Sequence, residues 1–147
     1  MVQIDRPGLG PKHILIVGCT ELGTAVATAL ADQGNTVHII DAESVSFDRL
    51  SKSQIDEHRI VPSVGDGTSQ ENLLKADVLG VDVFMALTTH DTTNILAAQL
   101  AKHQFQVEVV VCRVDDSDLQ MMYNDLGLIA IGATALLADI AIQAATA

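Results

Sequence analysis

The residues best suited to bind a ligand are two glycines in one turn and an acidic residue further along the chain. The turn reads Gly18-Cys19-Thr20-Glu21-Leu22-Gly23, and Asp41 follows Gly18 by 23 residues. Where such a turn joins a strand to a helix, its backbone can approach a phosphate, and an acid ending the next strand accepts hydrogen bonds from ribose hydroxyls. The spacing indicates a site for the adenosine half of a nucleotide. A turn that needs glycine only for packing is the alternative.

The turn differs from the usual G-x-G-x-x-G pattern at its middle position, where Thr20 replaces a glycine. A side chain then stands where a phosphate would approach the backbone. Glu21 can itself occupy the helix N-terminus, which attracts anions. We therefore expect polyphosphates to bind less well than AMP or adenosine. In the alternative interpretation, Glu21 is an ordinary first-turn acid and Thr20 donates its hydroxyl to the phosphate.

Asp41 is expected to accept hydrogen bonds from both ribose hydroxyls. Its negative charge, with that of Glu43, would repel a 2′-phosphate and so disfavours NADP. The alternative is that Asp41 only caps the next turn, as short acids at strand ends commonly do.

More polar residues follow later apolar runs. Asp66, beside Gly67, either accepts from an adenine amino group or forms an Asx turn. Thr88 and Thr89 follow the fourth predicted strand directly and are expected to face the ligand. Arg113 could bind a phosphate or pair with a nearby aspartate, Asp115 or Asp116, and without ligand we expect the internal ion pair.

The apolar pattern predicts the elements that position these residues. Four continuous apolar runs are typical of strands buried on both faces of a parallel sheet, and they cover residues 14–17, 37–40, 83–87 and 107–112. Weaker strands are predicted at residues 59–64 and 128–131. Leu22, Val26 and Leu30 recur at helical spacing, with Gly34 as a C-cap.

Further helices are predicted at residues 46–53, 70–75 and 117–124, and one capped by Thr92 or Thr93 that ends near His103. Strand and helix alternate along the chain, which predicts an α/β fold: a Rossmann-like, doubly wound parallel sheet in three layers, with strand order 3-2-1-4-5-6. Ligand is expected at the carboxyl ends of the first and fourth strands.

The chain has 147 residues, which suits one domain. We expect a domain over residues 12–147 after a flexible lead-in of residues 1–11, which contains two prolines and two glycines.

The net charge of −11 argues against nucleic acid and against docking on anionic lipid. No run is long enough to span a bilayer, so we expect a soluble, cytoplasmic protein with no direct membrane insertion.

An ordered set of motifs resembles the RCK, KTN or TrkA-N nucleotide-binding domain of bacterial potassium-uptake regulators of the Trk/Ktr type. The resemblance covers roughly residues 12–138 and rests on the glycine turn, Ile40-Asp41, Gly65-Asp66-Gly67-Thr68, Ala86-Leu87-Thr88 with Asp91 and Asn94, and Cys112-Arg113-Val114-Asp115-Asp116. It implies that Asp41 holds ribose, that Asp66 and Gly67 border adenine, and that Thr88 and Arg113 line the rest of the site.

The resemblance further implies a regulatory subunit that binds AMP, ADP, ATP or NAD(H), forms a homodimer or larger ring, and acts on a membrane potassium channel or transporter, peripheral to the inner membrane. The family's turn usually carries a glycine and an arginine at the positions of Thr20 and Glu21, so tight NAD or ATP binding is not expected. No enzyme activity is implied. An NAD-dependent oxidoreductase fragment, with His90 near the site, and an interaction module with a decayed pocket are the alternatives.

The last segment, residues 133–147, has Asp139 as its single charge. It is either a helix packed on its own sheet or a helix that crosses to a partner subunit in a dimer. Such regulators usually carry a further C-terminal ligand domain, and the sequence ends at Ala147. We expect either a short stand-alone subunit or a portion of a longer protein.

Overall fold

A computed structural model describes residues 10–147. The predicted lead-in therefore lies almost wholly outside the described residues. The six strands are β1 His13–Val17, β2 Thr36–Asp41, β3 Ile60–Val64, β4 Val83–Ala86, β5 Val109–Arg113 and β6 Ile129–Ile131. The α-helices are α1 Glu21–Asp32, α2 Lys52–Asp56, α3 Gln70–Lys75, α4 Asp91–Gln99, α5 Ser117–Asp125 and α6 Ala133–Thr146.

All six strands form one parallel sheet in the order β3-β2-β1-β4-β5-β6. The predicted strand order is confirmed. β1 lies at the centre, paired with β2 on one side and with β4 on the other. The chain thus reverses its direction of winding between β1 and β4, where ligands of such sheets bind.

The side chains of β1 alternate between two buried clusters, one on each face of the sheet. Leu15 and Val17 face the cluster that also holds α4 residues, and Ile14 and Ile16 face the cluster that holds α1 residues. Because both faces are covered by helices, the strand is apolar throughout rather than at alternate positions. The sheet and its two helical layers give the three-layer architecture that the sequence predicts.

Two helix predictions are wrong in detail. The single helix predicted at residues 46–53 is a 3-10 helix, Ser44–Arg49, followed by α2. The break lies at Leu50, which is buried and in extended conformation. Neither Thr92 nor Thr93 caps α4, since the helix begins at Asp91 with His90 at the N-cap position. A π-helical turn, Leu100–Gln104, follows α4 directly.

The last helix, α6, extends away from the sheet. Every residue from 134 to 147 is exposed, including Leu136, Leu137, Ile140 and Ile142. The interpretation of this segment as a helix packed on its own sheet is therefore wrong. No helix within residues 10–147 is both long enough and apolar enough to cross a membrane.

Candidate nucleotide-binding site

Two adjoining hollows lie at the carboxyl ends of the central strands. The main cleft has a volume of about 380 Å³ and is lined by Val17, Gly18, Thr20, Ile40, Asp41, Ala42, Glu43, Gly65, Asp66, Gly67, Thr88, Thr89, His90 and Thr93. The side hollow, of about 400 Å³, is lined by Thr20, Glu21, Leu22, Ala25, Thr89 and Arg113. Thr20 and Thr89 line both, so a ligand could extend from one into the other.

Of the predicted site residues, the structure brings all but two to the lining of these hollows. Cys19 is only 1% exposed, and its thiol contacts Thr24 Oγ1 and the Ser46 carbonyl. Burial raises the pKa of this thiol above its usual value. The second exception, Gly23, packs beneath the turn.

The two glycines of the turn are required by close approach of the backbone. Gly18 has a φ of 105°, which L side chains rarely adopt. A Cβ at Gly23 would fall on the carbonyl oxygen of Gly18. The last glycine thus lets α1 pack closely on β1, as the sequence pattern predicts.

Thr20 caps the helix that follows it. Its hydroxyl oxygen accepts a hydrogen bond from Gly23 N at 3.1 Å, and its hydroxyl donates to the Leu87 carbonyl at 2.9 Å. The hydroxyl hydrogen is therefore used inside the protein. The alternative in which Thr20 donates to a phosphate would require that bond to break.

Asp41 ties the end of β2 to the glycine turn. Its Oδ2 accepts from Cys19 N at 2.8 Å, and its Oδ1 accepts from Glu43 N at 2.9 Å. The second bond is the turn cap that we considered as the alternative role. A carboxylate has about four acceptor positions, so each oxygen can still accept a further donor from the cleft.

Asp66 forms the Asx turn named as its alternative role. Its Oδ1 accepts from the Thr68 amide at 2.8 Å and from the Thr68 hydroxyl at 2.7 Å. These two bonds hold the pKa of Asp66 below its ordinary value, the hydroxyl bond having the larger effect. The neighbouring Gly67 is buried, and a Cβ there would overlap the Val17 side chain.

Asn94 organises the Thr88 loop, a role that its sequence motif does not predict. It is fully buried, and its Oδ1 accepts from Thr88 N at 2.9 Å and from Thr88 Oγ1 at 2.6 Å. Its Nδ2 donates to the carbonyls of Thr88 and Arg113, both at 3.0 Å. An amide among the apolar positions of a predicted helix was the available signal, because buried polar groups need partners.

Arg113 makes the internal ion pair that we expect in the absence of ligand. Its guanidinium lies 3.1 Å from Asp115 Oδ2. The pKa of Asp115 is lowered, chiefly by the hydrogen bond from Arg113 and also by one from the Ala133 amide. Asp116 instead caps α5 by accepting from the amides of Asp118 and Leu119.

The charges at the two hollows are unevenly distributed. Three of the residues that line the main cleft are acidic, Asp41, Glu43 and Asp66, and the described residues lining it include no lysine or arginine. Glu21 and Arg113 line the side hollow. Within residues 10–147, no group of three or more His, Cys, Asp or Glu side chains could hold a metal ion.

The comparison with known proteins gives both a family and similar folds. A sequence profile of the TrkA-N domain matches residues 14–134. The Trk system potassium uptake protein TrkA of Streptomyces coelicolor is 36% identical over 127 residues, which are 86% of this chain and 55% of that protein. The chain spans about half the length, or less, of the curated relatives it matches.

Solved structures share the fold. The TrkA-N domain of the inner membrane protein ybaL from Escherichia coli has a TM-score of 0.77 at 12% identity, covering 92% of this chain and 98% of that one. The Shewanella denitrificans Kef CTD, solved in an AMP-bound form, has a TM-score of 0.70 at 24% identity, covering 91% and 80%. The profile match and the Streptomyces relative show the family that the sequence motifs suggested. The chain belongs to the TrkA-N domain family.

Proposed function

We propose that this chain is a non-catalytic regulatory domain of a potassium channel or transporter, and that it binds an adenine nucleotide in the main cleft. The observation that carries the proposal is the position of Asp41, which lines the cleft together with Gly18 and whose carboxylate is held by the Cys19 amide. The potassium-uptake relative and the AMP-bound Kef structure support it.

In the proposed complex, the ribose hydroxyls donate to Asp41. The adenine lies near Asp66 and Gly67, and Thr88, Thr89 and Arg113 contact the remainder of the nucleotide. The chain's residues fit a nucleoside, because Asp41 offers unused acceptor positions to the two hydroxyl donors. Glu43 adds a second negative charge beside the ribose position, so a 2′-phosphate is disfavoured and NADP is not the ligand.

The glycine turn, with Cys19, Glu21 and Leu22 between its ends, borders the ligand's phosphate end. AMP, ADP, ATP and NAD(H) are the candidate ligands, and they differ in how much negative charge they bring to this turn. Glu21 is exposed at the first position of α1, next to where a phosphate would lie. Its charge opposes polyphosphates more than a monophosphate.

The domain is proposed to cover residues 12–147 and to act as a homodimer or larger ring. α6 supports this because its four large aliphatic side chains are 51% to 67% exposed, with one charged residue on the helix. A second copy of the chain would remove this apolar surface from water. The assembly would act in the cytoplasm on a membrane transporter subunit, and nucleotide occupancy would change its shape.

Calorimetric titration tests the nucleotide proposal. Adenosine, AMP, ADP, ATP, NADH and NADPH are titrated into the chain, into Asp41→Asn and into the exposed control Asp48→Asn. Adenosine compounds should bind the unaltered chain and the control, NADPH should bind more weakly than NADH, and Asp41→Asn should lose about tenfold in adenosine affinity because charge-assisted hydrogen bonds are lost. No heat and no shift in Tm with any adenosine compound would contradict the proposal.

A further inference from the structure

Arg113 and Asp115 form an ion pair at the side hollow. The guanidinium donates from Nη2 to Asp115 Oδ2 at 3.1 Å and from Nε to Oδ1 at 3.4 Å. The Arg113 side chain remains 21% exposed and that of Asp115 35% exposed. A phosphate presents paired oxygens to a guanidinium much as a carboxylate does, so the two groups can compete for the same N–H donors.

Asp115 also has a partner on the last helix. Its Oδ1 accepts from Ala133 N at 3.1 Å, and Ala133 is the first residue of α6. The N-cap residue of that helix is Gly132, which has no side chain to accept such a bond. Asp115 therefore supplies from another loop the acceptor and the negative charge that stabilise a helix N-terminus.

The backbone around this pair is held by other residues. Asn94 Nδ2 donates to the Arg113 carbonyl at 3.0 Å. The Asp91 carboxylate accepts from Asp115 N and from Asp116 N, both at 3.1 Å. The two side chains can therefore exchange partners while the loop backbone stays in place.

Binding of a phosphate group in these hollows depends on Arg113. Among the described residues that line the main cleft or the side hollow, Arg113 is the only arginine or lysine. The Thr20 hydroxyl is already bonded to Gly23 and Leu87. The two hollows share Thr20 and Thr89, so a nucleotide whose ribose meets Asp41 could extend its phosphate into the hollow that Arg113 lines.

We propose that Asp115 is an internal competitor for the ligand's phosphate, and that a phosphate monoester on Arg113 displaces the Asp115 carboxylate and thereby loosens the first turn of α6. This inference rests on the proposed function, since it names the regulation of the same site. Arg113 holds both oxygens of Asp115 and so directs Oδ1 at the Ala133 amide. When Arg113 turns to a phosphate, Asp115 is free to rotate away from that amide.

The coupling must be reciprocal, because two ligands that affect one equilibrium affect each other equally. Whatever removes the charge of Asp115 should strengthen phosphate binding at Arg113. Phosphate binding should in turn weaken the bond between Asp115 and Ala133. Adenosine has no phosphate, so it should leave the ion pair and α6 unchanged.

The binding arm of the test uses AMP and adenosine with three forms of the chain: unaltered, Asp115→Asn, and the control Asp116→Asn. The control removes the same charge one residue away and keeps a good N-cap on α5. Asp115→Asn should bind AMP about two- to fivefold more tightly, the range expected for a partly exposed ion pair, with adenosine affinity unchanged. Equal AMP affinity in the unaltered chain and Asp115→Asn would overturn the inference.

The helix arm measures the Ala133 amide first without ligand and then with AMP or adenosine. Hydrogen exchange of the Ala133 amide, followed by NMR, should be about two- to fivefold faster in Arg113→Met than in the unaltered chain, for the same ion-pair energy. Arg49→Met, an exposed arginine with no bond to Asp115, is the control. Saturating AMP should accelerate this amide in the unaltered chain, and adenosine should not. An exchange rate indifferent to Arg113 would overturn the inference.

The outcomes separate this inference from the proposed function. If adenosine binds but neither AMP affinity nor Ala133 exchange responds to Asp115→Asn and Arg113→Met, only the competition is wrong. If neither adenosine nor AMP binds any form, both proposals are contradicted.

Discussion

Asp41 Oδ2 accepts a hydrogen bond from the Cys19 amide at 2.8 Å, across 22 residues of sequence. This bond joins the end of β2 to the turn between β1 and α1. The glycine turn and the carboxylate are therefore held as one unit at the edge of the main cleft. A ligand that bonds to Asp41 would meet an acceptor already oriented, which lowers the entropic cost of binding.

The first prediction concerns the packing of α1 on β1. Gly23→Ala should lower the free energy of unfolding by about 2 kcal/mol or more, because the new Cβ would fall on the Gly18 carbonyl and force the helix away from the sheet. Urea unfolding measures the loss. Gly10→Ala is the control, since nothing lies within 4 Å of a Cβ at that position. Equal stabilities of the two variants would contradict this explanation.

The second prediction concerns the altered turn. Replacing Thr20→Gly and Glu21→Arg together should raise ATP affinity about tenfold or more, because repulsion is replaced by attraction at short range. Adenosine affinity should stay within about twofold, since adenosine carries no charge there. Calorimetry with both ligands provides the readout. Glu71→Arg, which makes the same change of charge in the Glu71–Lys75 pair of α3, should leave ATP affinity unchanged. Failure of the double variant to gain ATP affinity would favour a decayed pocket.

The third prediction concerns Asn94. Asn94→Ala should destabilise the fold by about 2 to 3 kcal/mol, because it leaves the Thr88 amide and the Arg113 carbonyl without their partner in a buried setting. Thermal unfolding followed by circular dichroism measures the effect. Asn72→Ala, which removes a side-chain amide that donates to Ser69 Oγ and accepts from Asp66 N in a partly exposed setting, should cost clearly less. Equal losses in both variants would show that burial of Asn94 has no special importance.

The fourth prediction concerns the stability of the fold at low pH. The pKa values of Asp66 and Asp115 are lowered in the folded chain by their hydrogen bonds with Thr68 and Arg113. A carboxyl group with a lowered folded-state pKa stabilises the fold above its unfolded-state value, and this contribution is lost as pH falls through the folded-state pKa. Stability should therefore decline below about pH 4. As pH is lowered, Tm should fall less steeply in the double variant Asp66→Asn, Asp115→Asn than in the unaltered chain. An identical slope in both would contradict the role assigned to these two carboxyl groups.

Most of the fold could be predicted from the sequence because its determinants are local. The continuous apolar runs of β1, β2, β4 and β5 reflect burial on both faces. Gly18 and Gly34 have a positive φ that favours glycine, and Gly23 lies where a Cβ would meet the Gly18 carbonyl. The break at Leu50 could not be predicted, since it depends on where that side chain finds space in the core. At the start of α4, the Asp91 carboxylate accepts from amides 24 and 25 residues away, contacts that have no local sequence signal.

The sequence predicted many of the residues that line the two hollows, but not the hydrogen bonds among them. The positions of Asp41 and Thr88 followed from the strand pattern, because β2 and β4 flank β1 and the carboxyl ends of parallel strands share one edge of the sheet. The bond from the Thr20 hydroxyl to Leu87 spans 67 residues and has no local signal. The same holds for Asp115 and Ala133, whose contact depends on how the loops after β5 and β6 meet.

A crystal structure of the chain grown with AMP tests the central claim most directly. We predict adenosine density in the main cleft, with both ribose hydroxyls about 2.6 to 3.2 Å from the Asp41 carboxylate oxygens, which is hydrogen-bonding distance. Density for AMP elsewhere on the chain, with the cleft filled by solvent and Asp41 bonded only to Cys19 and Glu43, would contradict the account.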